Sequence, residues 1–296
     1  MCCLINGKSY LYRSDIRDDG QIRESFFALA RRAFGLDFAT WYQNGWWGGD
    51  YIPHVLLDNG HVAANVSVNL FHTRQGKKLK TFIQLGTVMT GPEYRNQGLG
   101  RFLLEKVLEE WTDECTAVYL FANNGVLDYY PKFGFERAEE YQSSLPVKKR
   151  PGKVRKLNMD NSHDRELLFS HYTLSNPFSA LPMIDNPGLL MFYCGQSLKN
   201  QVYFLKDFDA VVIAEQHGDT LLCYDVFCPD GYHLGEVLSA IARETTRRAV
   251  LGFSPKDMEN CAVSQYKEED TTLFFLQGKE NPMAKEKLMF PFLSHA

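Results

Sequence analysis

The sequence predicts an α/β (α+β) fold, in which a mixed sheet flanked by helices is followed by a second, degenerate copy of the same arrangement. Two observations support this prediction. Short β-branched apolar segments between turns alternate with segments whose apolar residues recur every three or four positions. The order strand, loop, helix, strand also occurs twice, over residues 82–122 and over residues 220–253. A chain of 296 residues is long enough for two such domains.

The elements of the first half follow from spacing and turn residues. Ile22, Phe26 and Leu29 lie on one face of a helical pattern. The segments 58–60 and 74–76 each end in glycine and contain other residues typical of tight turns, so they separate strands. The predicted order is helix 22–34, strands 53–58, 61–73 and 79–90, helix 99–111, strand 116–122, helix 125–132 and a strand from Glu136.

Proline, glycine and basic residues between positions 143 and 161 predict the boundary between the halves. We divide the chain into a first domain (1–145), a linker (146–160) and a second domain (161–296). In the second domain we expect helix 163–171, strands 202–206, 210–215 and 220–227, helix 234–248 and strand 249–253. Its strand-to-helix loop has acidic character and no arginine pair. We therefore interpret this half as a copy that has lost the ligand-binding role of the first and is structural or walls the substrate pocket.

The loop before helix 99–111 has the composition of an anion-binding site. Gly98 and Gly100 allow a close approach of the backbone. The amides of residues 97–101 lie at the start of a helix, where free N–H groups and the helix dipole favour a phosphate. Arg95 and Arg101 add positive charge. The loop lacks the Gly-Lys-Ser/Thr of a P-loop and the third glycine of a dinucleotide-binding loop, and a plain strand-to-helix turn is the remaining alternative.

Two segments resemble the GNAT superfamily of N-acetyltransferases. Residues 95–100 read Arg-Asn-Gln-Gly-Leu-Gly, similar to the family's acetyl-coenzyme A loop, Arg/Gln-x-x-Gly-x-Gly/Ala. Residues 123–135 resemble the family segment Asn-x-x-Ala-x-x-Phe-Tyr-x-Lys-x-Gly-Phe, with departures at Val126 and Pro131 that leave the Asn and Tyr positions intact. The resemblance covers residues 15–145. It implies an acetyltransferase with acetyl-coenzyme A as cosubstrate and no metal.

The resemblance also implies roles for individual residues. Tyr130 matches the general acid that protonates the departing thiolate, with the adjacent Tyr129 as the alternative. A backbone amide near Met89 or Thr90 would stabilise the oxyanion. Asn123 would contact the pantetheine arm or orient the sulfur, and its sequence context also suits a turn and helix cap. The residues expected to contact the coenzyme are Val88, Met89, Thr90, Arg95, Asn96, Gln97, Gly98, Leu99, Gly100, Arg101 and Asn123.

No general base is evident on the strand before the loop, where Gln84 is the only candidate polar side chain. The two-part layout resembles tandem acetyltransferases of the enhanced-intracellular-survival (Eis) type, which direct the C-terminal carboxylate into the active site. The apolar tail, 288–296, is typical of a docked segment, so Ala296 or His295 is the expected base. A terminal strand that completes the second sheet is the alternative.

The acceptor pocket is expected in the aromatic loop at 41–51. Trp41, Trp46 and Trp47 are the candidate wall residues, and burial in the core is their alternative role. The expected acceptor is a primary amine of a small molecule or peptide. Two other functions remain open: a non-catalytic acyl-coenzyme A sensor, and a tandem aminoacyl transferase that recognises transfer RNA.

Composition restricts the partners and the compartment. The net charge of −4 gives no basic field for nucleic acid, and no apolar run approaches the length of a membrane helix. Seven scattered cysteines without a Cys-x-x-Cys pair indicate a reduced, cytoplasmic protein without a zinc site. The start of the sequence lacks the features of a signal peptide. Assembly into a homo-oligomer is left open.

Overall fold

The structure, a computed structural model, describes residues 1–76 and 78–296, which form two mixed β-sheets with helices packed against them. The predicted α/β fold with two sheets is confirmed. The helices are α1 (Gly20–Phe34), α2 (Phe38–Gln43), α3 (Leu99–Trp111), α4 (Ser162–Tyr172), α5 (Pro187–Cys194) and α6 (Leu234–Ile241). The strands are β1 (Cys2–Ile5), β2 (Lys8–Arg13), β3 (Tyr51–Asp58), β4 (His61–Gln75), β5 (Lys78–Thr90), β6 (Ala117–Ala122), β7 (Phe135–Arg137), β8 (Glu140–Pro146), β9 (Val154–Lys156), β10 (Val202–Leu205), β11 (Ala210–His217), β12 (Thr220–Phe227), β13 (Arg248–Leu251), β14 (Ala262–Tyr266) and β15 (Thr272–Leu276).

The first sheet has the order β1-β2-β3-β4-β5-β6-β15-β7. Its strands pair antiparallel except β5 and β6, which run parallel because helix α3 carries the chain across between them. The apolar face of α3 predicted from spacing is buried on this sheet. Its buried members are Leu99, Leu103, Leu104 and Val107.

The second sheet has the order β14-β8-β13-β12-β11-β10-β9. Strands β12 and β13 are parallel and joined through α6, as β5 and β6 are joined through α3, so the second half repeats the first. Helix α6 ends at Ile241, although the prediction extended it to residue 248. The chain leaves the helical conformation at Ala242 (ψ 154°), and the Thr246 hydroxyl accepts the Arg243 N–H in the following turn.

The two halves exchange strands. Strand β15, from the second half of the sequence, pairs with both β6 and β7 and thereby completes the first sheet. Strand β8 lies at the end of the predicted first domain and reaches the first residue of the predicted linker, yet it pairs with β13 and β14 of the second sheet. The division predicted at residues 145 and 160 therefore does not coincide with the division of the strands between the sheets.

The predicted helix 125–132 is wrong. This segment forms two short 3-10 turns, Asn124–Val126 and Tyr130–Phe133. Pro131 cannot donate a backbone hydrogen bond, and the Asn124 N–H donates to the Asp270 carboxylate instead (2.6 Å). The segment is therefore held by 3-10 hydrogen bonds and by a tertiary contact with the β14–β15 loop, rather than by α-helical hydrogen bonds.

Candidate active site

The loop between β5 and α3 presents free backbone donors. Gly98, with φ 82°, precedes the helix, and no side chain caps the first turn. The first hydrogen bond into the helix is from the Phe102 N–H to the Gly98 carbonyl oxygen (3.0 Å). The amides of residues 99–101 therefore have no partner within the helix, as expected at an uncapped N-terminus. Together with the exposed Arg95, they form a site that fits a phosphate group.

The N-terminal hairpin braces this loop, a role that sequence reasoning missed. The Asn6 side chain, in the β1–β2 turn, donates to the Gln97 carbonyl oxygen (2.8 Å). The Tyr10 hydroxyl donates to the Gln97 side-chain oxygen (3.3 Å). The side-chain NH2 group of Gln97 donates to the Glu93 carbonyl oxygen (2.9 Å). These bonds hold the loop open without occupying the amides at the helix start.

A gap between β5 and β6 leads from this loop into the molecule. The two strands pair from Phe82 and Ala117 to Leu85 and Leu120, and beyond that point they separate. The Gly91 N–H donates to Ala63 on β4 (2.8 Å). Because donors alternate sides along a strand, the Thr90 N–H faces the gap. Of the two predicted amides, that of Thr90 rather than that of Met89 therefore faces the gap.

The side chains of the remaining predicted β5 residues point to different places. Met89 is buried with the aromatic cluster of α1 and α2, whereas Val88 packs against the core beneath α3. The side chain of Thr90 lies at the loop, since its hydroxyl is 3.6 Å from the position that a Cβ of Gly100 would take. The backbone of β5 could therefore contact a ligand in the gap, whereas the side chain of Met89 could not reach it.

Two neighbouring tyrosines take different positions. The Tyr129 hydroxyl lies 3.3 Å from the position that a Gly100 Cβ would take, beside the loop between β5 and α3. Tyr130 is buried, its ring packed against Phe135 and Phe274, and no partner for its hydroxyl lies among the described residues. Burial raises the pKa of both phenols, more strongly for Tyr130, so both are protonated at neutral pH.

Asn123 has a partner that the sequence did not predict. Its side-chain amide donates to the Asp270 carboxylate (3.1 Å) and carbonyl oxygen (3.3 Å). Asp270 lies in the loop before β15, in the left-handed conformation at φ 56°. Asn123 therefore fixes the loop that delivers β15 to the first sheet, beside the open end of the gap.

The C-terminal tail enters this site from the opposite side. The main-chain oxygen of Ala296 accepts from the Gln84 side chain (2.7 Å), and the Ala296 N–H donates back to Gln84 (3.1 Å). Gly86 permits this approach, since a Cβ there would come within 2.7 Å of the Ala296 oxygen. The Tyr193 hydroxyl holds the preceding residue through the His295 carbonyl oxygen (2.6 Å). The alternative of a terminal strand in the second sheet is thus not what the structure forms.

The end of the tail lines a cavity of about 300 Å³. Its polar floor is formed by the first sheet and the chain end, with Asn69, Gln84, Thr87 and Ala296. Its walls are mostly aromatic and come from both halves of the chain. Burial lowers the pKa of His295 to about 4, so this wall residue is neutral at pH 7.

A cluster of hydroxyl groups shapes the floor, and sequence reasoning missed it. Tyr51, Ser67 and Thr87 hydrogen-bond one another at 2.7–3.0 Å. Thr87 has φ 43°, an uncommon conformation for a β-branched residue, at the point where the register of β4 and β5 shifts. The Asn65 side chain donates to the Thr87 carbonyl oxygen (2.8 Å). The bulge is therefore built into the strand that faces the gap.

The three predicted tryptophans have mostly structural roles. Trp41 lines the cavity, and its indole N–H donates to the Gly188 carbonyl oxygen of α5 (2.7 Å). Trp47 is buried, stacks on Trp41 and donates to the Tyr51 carbonyl oxygen. Trp46 packs against α5 at Gly195. Trp46 and Trp47 are not among the cavity-lining residues, because Trp46 packs against the end of α5 and Trp47 is buried in the aromatic cluster of α1 and α2.

A buried carboxyl group anchors the tail and predicts a pH effect. Glu140 accepts the Phe290 N–H (2.8 Å), and burial raises its pKa to about 7, although this N–H lowers it. The pKa of Glu140 in the folded state is above its value of about 4.3 in the unfolded chain. The contribution of Glu140 to the free energy of unfolding is therefore complete below about pH 4.3 and is lost as the pH rises through 7. We expect Glu140→Gln to reduce the fall in melting temperature between pH 5 and pH 8.

Thermal melts across this pH range check the prediction, with Glu139→Gln as the control. Glu139 is the neighbouring, exposed acid, so its variant should keep the wild-type slope. Asp225, whose pKa burial also raises to about 7, preserves part of the slope in every variant. Parallel curves for Glu140→Gln and the wild type would contradict the assignment.

The comparisons with known proteins agree with this geometry. Residues 22–135 match the family model described as the acetyltransferase (GNAT) family. A conserved protein of unknown function from Enterococcus faecalis V583, a probable N-acyltransferase, is 14% identical with a TM-score of 0.62, over 90% of this chain and 72% of that chain. Eis1 from Mycobacterium abscessus is 13% identical, with a TM-score of 0.55, over 89% and 73%. A GCN5-related N-acetyltransferase from Anabaena variabilis is 15% identical, with a TM-score of 0.54, over 90% and 72%.

The matched segment contains the loop between β5 and α3 and the gap between β5 and β6, so the family match falls on the part of the chain that carries this site. The GNAT match covers residues 22–135, and the fold of the whole chain is similar to that of these solved structures, Eis1 among them. Within residues 1–76 and 78–296, no three His, Cys, Asp or Glu side chains form a group that could hold a metal ion. None of the described helices has both the length and the apolar character to cross a membrane.

Proposed function

We propose that the protein transfers an acetyl group from acetyl-coenzyme A directly to a primary amine of a small molecule or peptide. The observation that carries the proposal is the continuity of the site. An uncapped helix start, the gap between β5 and β6, and the Ala296 end of the chain follow one another along strand β5. A cosubstrate bound by its phosphates at the loop would thus place its thioester near the floor of the cavity.

The residues present fit this cosubstrate. The free amides of residues 99–101 and the exposed Arg95 and Arg101 would hold the pyrophosphate. Residues 86–90 of β5 have no partner strand on the side of β6. Their backbone N–H and C=O groups would hydrogen-bond the pantetheine arm as they would an additional strand. When bound, the cosubstrate supplies the activated acetyl group. The loop of the second half has no arginine pair, and we propose no binding there.

The chemistry is assigned to three groups of the chain. The Ala296 carboxylate would accept the proton of the incoming ammonium, so that the free amine attacks the thioester carbonyl. The Thr90 N–H would donate to the oxygen that becomes negatively charged. Tyr130 would give its proton to the sulfur as the carbon–sulfur bond breaks. An apolar environment raises the pKa of a thiol as well as that of a phenol, so the two groups stay matched.

The coenzyme site is tested by placing a carboxylate at the helix start. We expect Gly100→Asp to weaken acetyl-coenzyme A binding about 100-fold, because like charges placed together cost several kcal/mol. The melting temperature should be unchanged or higher, since a carboxylate stabilises a helix N-terminus. Isothermal titration calorimetry measures the Kd, and a thermal melt measures the stability.

The second half of the chain offers a matched control. Gly235 follows Leu234 at the start of α6, as Gly100 follows Leu99 at the start of α3, and a Cβ at Gly235 would meet only Leu145 at 3.9 Å. Gly235→Asp should leave the Kd unchanged. If Gly235→Asp abolished binding and Gly100→Asp did not, the coenzyme would bind in the second half and the proposal would fail.

A further inference from the structure

The lining of the aromatic cavity narrows the range of amines that could serve as the acceptor. Four aromatic rings that remain partly exposed face it from three parts of the chain: Phe121 on β6, Phe192 and Tyr193 on α5, and Phe292 in the tail. Phe192 is itself braced by Phe38 (ring centroids 5.7 Å apart) and Trp41 (5.9 Å). Rings held in this way give a fixed apolar slot rather than a flexible surface.

The charged side chains among the described lining residues of the cavity are all negative. Asp50 and Glu268 line it, together with the chain end at Ala296, and no Lys or Arg is found among these described lining residues. His295 is neutral at pH 7, as described above. His72 lies 3.7 Å from Asp50 but is not part of the lining. The cavity thus favours a cationic ligand and offers no partner for a carboxylate or phosphate on the acceptor.

The floor of the cavity can receive an ammonium group. The Asn69, Gln84 and Thr87 side chains and the Ala296 carboxylate supply oxygen acceptors close together, at the end of the gap where the thioester would lie. An amine seated on this floor would extend its carbon skeleton between the aromatic walls. A polycation would instead place further charges against those walls, where Asp50, Glu268 and the ring faces replace only part of the hydration that the charges lose.

We infer that the acceptor is a small primary amine on an aromatic or comparably bulky apolar body, with no carboxylate group. This inference rests on the proposed acetyl transfer and adds the substrate class. It follows from the aromatic slot, the polar floor and the single sign of charge. A cavity of about 300 Å³ suits a ligand of this size better than an oligosaccharide or a folded protein segment.

The test uses amines that differ by one feature each. Release of free thiol from acetyl-coenzyme A is followed with 2-phenylethylamine, n-butylamine, L-phenylalaninamide, L-phenylalanine, spermidine and a pentapeptide that begins with phenylalanine. We expect kcat/KM for 2-phenylethylamine to exceed that for n-butylamine and spermidine about tenfold or more, since a buried ring removes more apolar surface from water than either competitor does. L-phenylalaninamide should exceed L-phenylalanine by a similar factor, because the two differ only in the carboxylate.

Variants connect the preference to the cavity. Phe192→Ala should remove most of the advantage of 2-phenylethylamine over n-butylamine, with folding checked by a thermal melt. Glu268→Gln should raise the KM for 2-phenylethylamine a few-fold, whereas Glu269→Gln, at an exposed neighbour outside the lining, should not. Preference for spermidine, L-phenylalanine or the pentapeptide would overturn the inference.

A binding measurement separates this inference from the proposed function. The affinity of 2-phenylethylamine is measured by calorimetry without acetyl-coenzyme A, on the wild type and on Phe192→Ala. Binding that Phe192→Ala weakens, in a protein that does not bind acetyl-coenzyme A, would remove the proposed transfer and retain the amine site. Acetyl-coenzyme A binding with no affinity for the amine would do the reverse.

Discussion

Replacing Tyr130 with phenylalanine is expected to lower kcat about 100-fold or more, the usual size of a general-acid contribution. The ring is buried between Phe135 and Phe274, so the substitution removes one oxygen and leaves the packing in place. The departing thiolate then lacks a proton donor in an apolar gap, where an unneutralised charge is costly. The Kd of acetyl-coenzyme A should stay within about twofold, because the lost interaction is made mainly in the transition state.

Tyr129→Phe is the matched control, since it removes the same atom from the neighbouring residue. The Tyr129 hydroxyl lies beside Gly100, at the phosphate-binding loop, so its loss should change the Kd of acetyl-coenzyme A a few-fold and leave kcat nearly unchanged. Steady-state rates and calorimetry on the two variants give the comparison. A large loss of kcat in Tyr129→Phe, with a normal rate in Tyr130→Phe, would exchange the two roles.

Deleting Ala296 is expected to lower kcat by about 100-fold, because it moves the terminal carboxylate back along the chain by about 3.8 Å. The shortened tail also loses both hydrogen bonds to Gln84. The rest of the tail stays anchored, since Phe290 is held by Glu140 and Phe292 by the Gly252 carbonyl oxygen (2.7 Å). A lower melting temperature is therefore not the expected cause of the lost activity.

Ala296→Gly is the control for the deletion, since it keeps the carboxylate and the backbone bonds to Gln84. It should have nearly the wild-type kcat. The pH dependence of kcat/KM in the wild type should show a group that must be deprotonated, and this requirement should change in the deletion variant. Wild-type turnover in the deletion variant would show that the proton of the amine leaves by another route.

Local sequence patterns determined a large part of the fold. Helix 99–111 and strand 220–227 have the predicted bounds, because turn residues and apolar spacing define such segments without help from the rest of the chain. The repeated strand, loop, helix, strand order and the glycine-rich loop also follow from neighbouring residues. The resemblance of residues 95–100 and 123–135 to the GNAT family then indicated the reaction class that we propose.

Tertiary structure decided what local patterns do not encode. The pairing of β15 with β6, the contact of Asn123 with Asp270, and the bonds between Gln84 and Ala296 join residues more than a hundred positions apart. Each depends on where two distant segments end in space, and a polar residue such as Gln84 carries no local sign of its partner. The sequence by itself determined the repeated strand, loop, helix, strand order and the position of the glycine-rich loop, on which the proposed acyl transfer depends. Only the packing of the two halves decided which tryptophans are buried in the core. The same packing formed the aromatic cavity, because each half supplies part of its walls.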